Sequence, residues 1–69
     1  MDISTKIRLA ETYAKISEAE LARRLGTTSQ ALGQRLKTGK FSSTDLEKIA
    51  KALGAEFIYT FKFSDGTEI

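Results

Sequence analysis

The sequence predicts a mainly α protein of four short helices followed by one C-terminal β-strand, and three observations carry that expectation. Apolar residues recur at three- and four-residue intervals as far as Leu53. Asp, Ser and Thr stand in capping positions ahead of each such stretch, and glycine closes the second and the fourth. Past Gly54 the texture changes to AEFIYTFKF, aromatic and β-branched residues with a period of two.

Length and composition bound the function classes. The 69 residues leave room for one small core, near the size at which chains need metals, disulfides or oligomerisation as support. There is no Cys and no His, hence no disulfide, no thiolate or imidazole to hold zinc, and no Cys or His nucleophile or base. This points away from an enzyme, a cofactor or a metal, and leaves self-association as the expected support. No apolar run approaches the roughly 18–20 residues of a membrane span. MDISTKIRLAETYAK lacks a charged region followed by a solid apolar block, so no secretory signal is expected and a cytoplasmic protein is.

Each helix has its own signals. Ile3, Ile7, Ala10 and Ala14, with Leu9 and Tyr13 beside them, place an amphipathic helix over residues 2–13, capped by Asp2 or Ser4, with its apolar stripe as core. Ser17 and Glu20 fit the S-x-x-E capping box, and Ile16 with Leu21 fits the hydrophobic staple, so two local rules agree on where the second helix starts. Leu21, Ala22 and Leu25 face inward, Arg23 and Arg24 outward, and Gly26 stops the helix in the left-handed conformation. Thr28 caps the third helix. A gap this short makes the two helices cross steeply, as in a helix-turn-helix. Leu32 and Leu36 form the third helix's buried stripe. The fourth helix begins between Ser42 and Thr44, because Ser42 with Asp45 and Thr44 with Glu47 each fit a capping box. Leu46, Ile49, Ala50 and Leu53 are its inward stripe, Gly54 ends it, and Phe41 packs between the third and fourth helices.

Net charge is only +2, but its distribution is uneven. Residues 21–43 hold five of the 11 basic residues, Arg23, Arg24, Arg35, Lys37 and Lys40, and none of the 9 acidic ones, which leaves −3 on the remainder. A cationic stretch on an acidic body is the footprint of a polyanion-binding face. On the third helix, Ser29, Gln30, Gly33, Gln34 and Lys37 lie opposite the buried stripe, a polar face with no acidic residue of its own. A glutamine amide donates and accepts at once, and so pairs with adenine N6 and N7 in the major groove. Ser29 lies at the helix N-terminus, where backbone N–H groups favour a phosphate oxygen. Gly33 costs a helix about 1 kcal/mol relative to Ala, which is tolerated where another backbone comes close or a neighbouring helix packs. The expected base contacts are Ser29, Gln30, Gly33 and Gln34. The expected phosphate contacts are Thr28, Arg35, Lys37 and Lys40.

On these residues a resemblance becomes specific. LARRLGTTSQALGQRLKTGKF resembles the helix-turn-helix of the Cro/C1-type (XRE family) repressors, with Ala22 in the first helix of the motif, Gly26 at its turn and Leu32 in the second helix. The resemblance spans residues 2–53 and implies a four-helix lambda-repressor-like domain that inserts its third helix into the major groove of double-stranded DNA. Gln30 and Gln34 fall where phage repressors of this family use glutamine to contact bases, and Ser29 falls at a third such position. One departure matters. The family often has Gln at the first position of the second helix, where it contacts phosphate, and this chain has Glu18. A carboxylate repels phosphate, so that role does not carry over.

The tail completes the expectation. Phe57, Tyr59, Phe61 and Phe63 share one side of a strand of about nine residues, with Glu56, Ile58, Thr60 and Lys62 on the other. Asp65-Gly66 signals a tight turn, but only Glu68 and Ile69 follow Thr67, too few for a return strand. The expected partner is the same strand of a second copy, antiparallel about a two-fold axis, which buries the aromatic row. The other solution folds the strand back over its own helices, with Phe57 and Tyr59 as core. Residues 1–54 are thus expected as a DNA-binding domain and 55–69 as a dimerisation element, together a homodimeric repressor on a near-palindromic operator. The alternative is a protein-interaction module, such as an antitoxin that binds a partner protein through the tail.

Overall fold

The structure, a computed structural model, describes residues 2–69. It is mainly helical, in the order α1 (Ile3–Ala14), α2 (Glu18–Arg24), α3 (Ser29–Thr38) and α4 (Ser43–Ala52), with no sheet among the described residues. Helices this short do not persist alone in water, so their ends and their packing must hold them. All four start on a side-chain cap: Asp2 accepts from Thr5 N, Ser17 from Glu20 N, Thr28 from Ala31 N and Ser42 from Asp45 N. Each cap contributes about 1 kcal/mol. At α4 the Ser42–Asp45 box is complete and the Thr44 alternative is unused. At α2 only half the expected box forms: Ser17 Oγ accepts from Glu20 N at 3.1 Å, but the Glu20 carboxylate turns outward to Arg23 and Arg24 instead of back to the cap. Two guanidinium partners outcompete one backbone N–H.

The helix ends repeat one device. Ile16 N, Thr27 N and Ala55 N reach back to Glu11 O, Ala22 O and Ala50 O, closing α1, α2 and α4 with the wide loop of a Schellman motif. The residue inside that loop must be left-handed. Gly26 supplies this after α2 at φ 75°, whereas after α1 the position is held by Lys15 at φ 58°.

Leu21 and Leu32 are the most completely buried large side chains, and they join Ile7, Ala22, Leu36 and Ile49 in a single core. Leu25, Phe41, Leu46 and Leu53 pack around its edge. The expected stripes of α2, α3 and α4 therefore face inward. The α1 stripe differs. Ile7 is buried, but its buried companions are Ser4 and Glu11, while Leu9 and Tyr13 are exposed. Ser4 is there for a reason: its Oγ donates to Leu36 O at 2.6 Å, satisfying a carbonyl in the last turn of α3. No described helix is long and apolar enough to cross a membrane.

The tail departs most from expectation. Residues 55–60 run without strand pairing, and the β-structure among the described residues is one antiparallel bridge, Lys62 opposite Glu68. Glu68 and Ile69, expected to be too few, do return together with Thr67. Phe61 and Ile69 exchange both backbone hydrogen bonds, and Phe63 N donates to Thr67 O at 2.7 Å around a turn with Gly66 at φ 91°. A three-residue loop ending in a left-handed glycine needs little chain to close. Phe57 lines an apolar cleft with Ile3, Ile7, Leu46 and Ile49, whereas Ile58, Tyr59, Phe61, Phe63 and Ile69 are exposed.

Replacing Lys15 by Gly should stabilise the fold by about 1 kcal/mol. It relieves left-handed strain of about 1–2 kcal/mol against an added chain entropy of about 0.5–1 kcal/mol. Urea denaturation of Lys15→Gly checks this, and a loss of stability would contradict the left-handed assignment.

Candidate nucleic-acid interface

The α2–α3 unit is built from the turn outward. The Schellman loop at Gly26 delivers the chain to Thr28, whose Oγ1 accepts from Ala31 N at 3.1 Å and starts α3. Leu32 and Leu36 then seat α3 on the core, which leaves Ser29, Gln30, Gln34 and Lys37 exposed on the other side. The Gln30 and Gln34 amides, one turn apart, engage no side chain or backbone group among the described residues and are open to an outside partner. Thr28 is exposed, and while its Oγ1 accepts the cap hydrogen bond from Ala31 N its hydroxyl can still donate to an outside acceptor.

Gly33 is half-buried rather than open. A Cβ there would stand 3.5 Å from Glu18 Oε2, in ordinary van der Waals contact with a carboxylate from the first turn of α2. That neighbour belongs to an adjacent helix, and a methyl group would fit beside it, so the contact does not itself require glycine. It also qualifies the expected acid-free face. No acid lies on α3 itself, but folding brings Glu18 to its border.

The cationic stretch changes more. Arg23 and Arg24 both donate to Glu20, Arg24 at 2.9 Å, and Arg24 also donates to Ala52 O at 2.9 Å, tying α2 to the end of α4. Arg35 bonds Asp45 at 2.7 Å and stacks over the Phe41 ring at 5.0 Å. Three arginines of the stretch thus carry acidic partners that lie just outside it in sequence. The Arg23 hydrogen bond, then that of Arg24, pulls the Glu20 carboxyl down to about 2. The Ser42 backbone hydrogen bond, then Arg35, pulls Asp45 down to about 2. Lys37 and Lys40 are exposed and take part in no ion pair among the described residues.

One cation escaped the sequence reading. Arg8 lines a depression with Asp2, Thr5, Lys37 and Gly39, where the start of α1 meets the end of α3. Its only signal in the sequence is a place on the polar side of α1. No group of three or more acidic or metal-ligating side chains that could hold a metal is present among the described residues. Comparisons with protein-family models, curated proteins and solved structures return no match to this chain.

The ion pairs set a pH response. A carboxylate held below its ordinary value stabilises the fold above that value and ceases to as pH falls through the folded one. Glu20 falls from 4.5 to about 2 and Asp45 from 3.8 to about 2, so their contribution is lost between about pH 4.5 and 2. Both are exposed and screened by salt. Acid titration of stability at low salt should be shallower in the double variant Glu20→Gln, Asp45→Asn than in the wild type. Equal slopes would show that these pairs contribute nothing.

Proposed function

We propose that this chain is a helix-turn-helix protein that binds double-stranded DNA sequence-specifically as a homodimer and represses transcription by occupying its operator. The observation that carries the reading is the division of α3, with Leu32 and Leu36 locked into the core and the Gln30 and Gln34 amides unengaged on the opposite side. Gln30 and Gln34 read base edges, with Ser29 beside them at the helix N-terminus. Gly33, between Gln30 and Gln34 in sequence, leaves α3 without a side chain where the DNA comes close. Lys37 and Lys40 bind phosphate, and Arg35 does so only in competition with Asp45. The exposed row Tyr59, Phe61 and Phe63, with Phe57 anchored at its root, pairs with the same segment of a second copy. That pairing occupies an otherwise open edge and sets two copies of α3 into successive major grooves about 34 Å apart.

A second reading is favoured by one observation. The large apolar residues exposed on the tail, together with the neutralised arginines, suit a protein-interaction module of the antitoxin kind, whose tail docks on a different protein. Salt dependence separates the two. Two lysines in each of two copies give a log–log salt slope of about −4 on B-form DNA, far from the value of about −9 that five cations per copy would give. Lys37→Ala or Lys40→Ala should flatten it by roughly one unit per lost phosphate contact, and Asp45→Asn, which releases Arg35, should steepen it. Gln30→Ala and Gln34→Ala should each lose about 1–3 kcal/mol of discrimination between matched and altered sites. A chain without measurable salt-dependent duplex affinity would favour the interaction module. Sedimentation of a chain ending at Gly54 tests the pairing: the truncated protein should be monomeric, and a full-strength dimer would reject the tail as the interface.

A further inference from the structure

The tail has a hydrogen-bonding phase that limits how a second copy can join it. Phe61 and Ile69 exchange both backbone hydrogen bonds, and Phe63 N donates to Thr67 O, so Phe61 and Phe63 turn their backbone groups inward to the return segment. Lys62 stands between them, opposite Glu68, and in an extended chain its N–H and C=O point the other way. The backbone groups of Ile58, Thr60 and Lys62 join no hydrogen bond among the described residues. The open edge therefore belongs to the even-numbered residues. An antiparallel partner that is the same segment must meet it even to even, which places the two-fold axis on a residue.

Side chains select that residue. Glu56 and Lys62 share the polar side of the tail, and neither takes part in an ion pair among the described residues. An axis through Tyr59 sets Glu56 of each copy directly opposite Lys62 of the other. An axis through Thr60 sets Lys62 opposite Ile58, one through Phe61 sets it opposite Thr60, and one through Lys62 brings like charges together. Opposite charges facing each other across a pair of strands stabilise it, and like charges destabilise it.

We propose that two copies join their tails antiparallel about an axis at Tyr59, forming a four-stranded sheet in the order return segment, tail, tail, return segment. This rests on the homodimer proposed above and adds its register. The polar face then carries two Glu56–Lys62 pairs and two Ile58–Thr60 pairs. On the other face Tyr59 meets its own copy and Phe57 meets Phe61. Lys62 stands between Glu68 of its own hairpin and Glu56 of the second copy. Glu68 also puts a charge on each outer strand, which opposes the addition of a third copy.

The chain has no cysteine, so single substitutions report the register by disulfide formation in a glutathione buffer. Tyr59→Cys should cross-link, because residues directly opposite each other in a non-hydrogen-bonded pair have Cα atoms about 4.5 Å apart, within disulfide reach. Thr60→Cys and Phe61→Cys should not, since stepping off the axis separates each from its own copy by about 8 Å or more, beyond that reach. Glu56→Lys should weaken the dimer about tenfold in sedimentation at low salt, and less at high salt, because it opposes like charges twice. Stronger cross-linking at residue 60 or 61 than at 59, or a dimer indifferent to Glu56→Lys, would overturn the register and leave the homodimer standing. A wild-type chain that stays monomeric would overturn both. If Tyr59→Cys does not dimerise, nuclear Overhauser contacts between labelled and unlabelled wild-type copies decide: Phe57 to Phe61 is expected, and Phe57 to Phe63 would overturn the axis.

Discussion

The fold depends on the burial of Leu21 from α2 and Leu32 from α3 in one core. α2 has seven residues, too few to be helical without packing, and it is Leu21 with Ala22 that supplies the packing. The short turn at Gly26 then leaves α3 little choice of direction. Ile7 from α1 and Ile49 from α4 close the core from two further elements. Truncating either leucine to Ala would cost about 2–5 kcal/mol, comparable to the whole stability of a core this small. The polar side of α3 is thus held by apolar contacts on its back, and its orientation does not depend on any polar group that a ligand must engage.

Electrostatics is where sequence and space part. Residues 21–43 read as a run of unopposed positive charge, yet Glu20 and Asp45, one residue before the run and two after it, fold onto Arg23, Arg24 and Arg35. The pairs do structural tasks: Arg24 also reaches Ala52 O, and Arg35 covers Phe41. What remains for a polyanion is smaller and lies at the far end of α3, around Lys37 and Lys40, with Arg8 contributed by α1. Affinity from so few cations would be modest, so the proposed DNA binding leans on the Gln30 and Gln34 amides and on a second copy.

Local signals were legible where local chemistry decides. Thr28 and Gly26 act as the cap and the stop that their residue types suggest, and the stripes of α2, α3 and α4 follow from periodicity. What was not legible depends on groups distant in sequence. Periodicity cannot anticipate that Ser4 is buried to bond Leu36 O, nor that Glu11 replaces an apolar residue in the α1 stripe. Lys15 in a left-handed position carries no composition signal at all. For Gly33 the sequence left two readings open, and it could not show that the Glu18 side chain of α2 would come to lie beside it. The alternation in AEFIYTFKF states a preference for extended chain, but a strand requires a partner, and within one copy residues 55–60 have none.

The proposed function requires α3 to read base edges in two related half-sites. Selection of binding sites from a pool of randomised duplexes, with the full chain as bait, tests that claim most directly. The predicted result is enrichment of an approximate palindrome whose half-site centres lie about one helical turn, or about 34 Å, apart. A pool that shows no enrichment over its starting composition would contradict it.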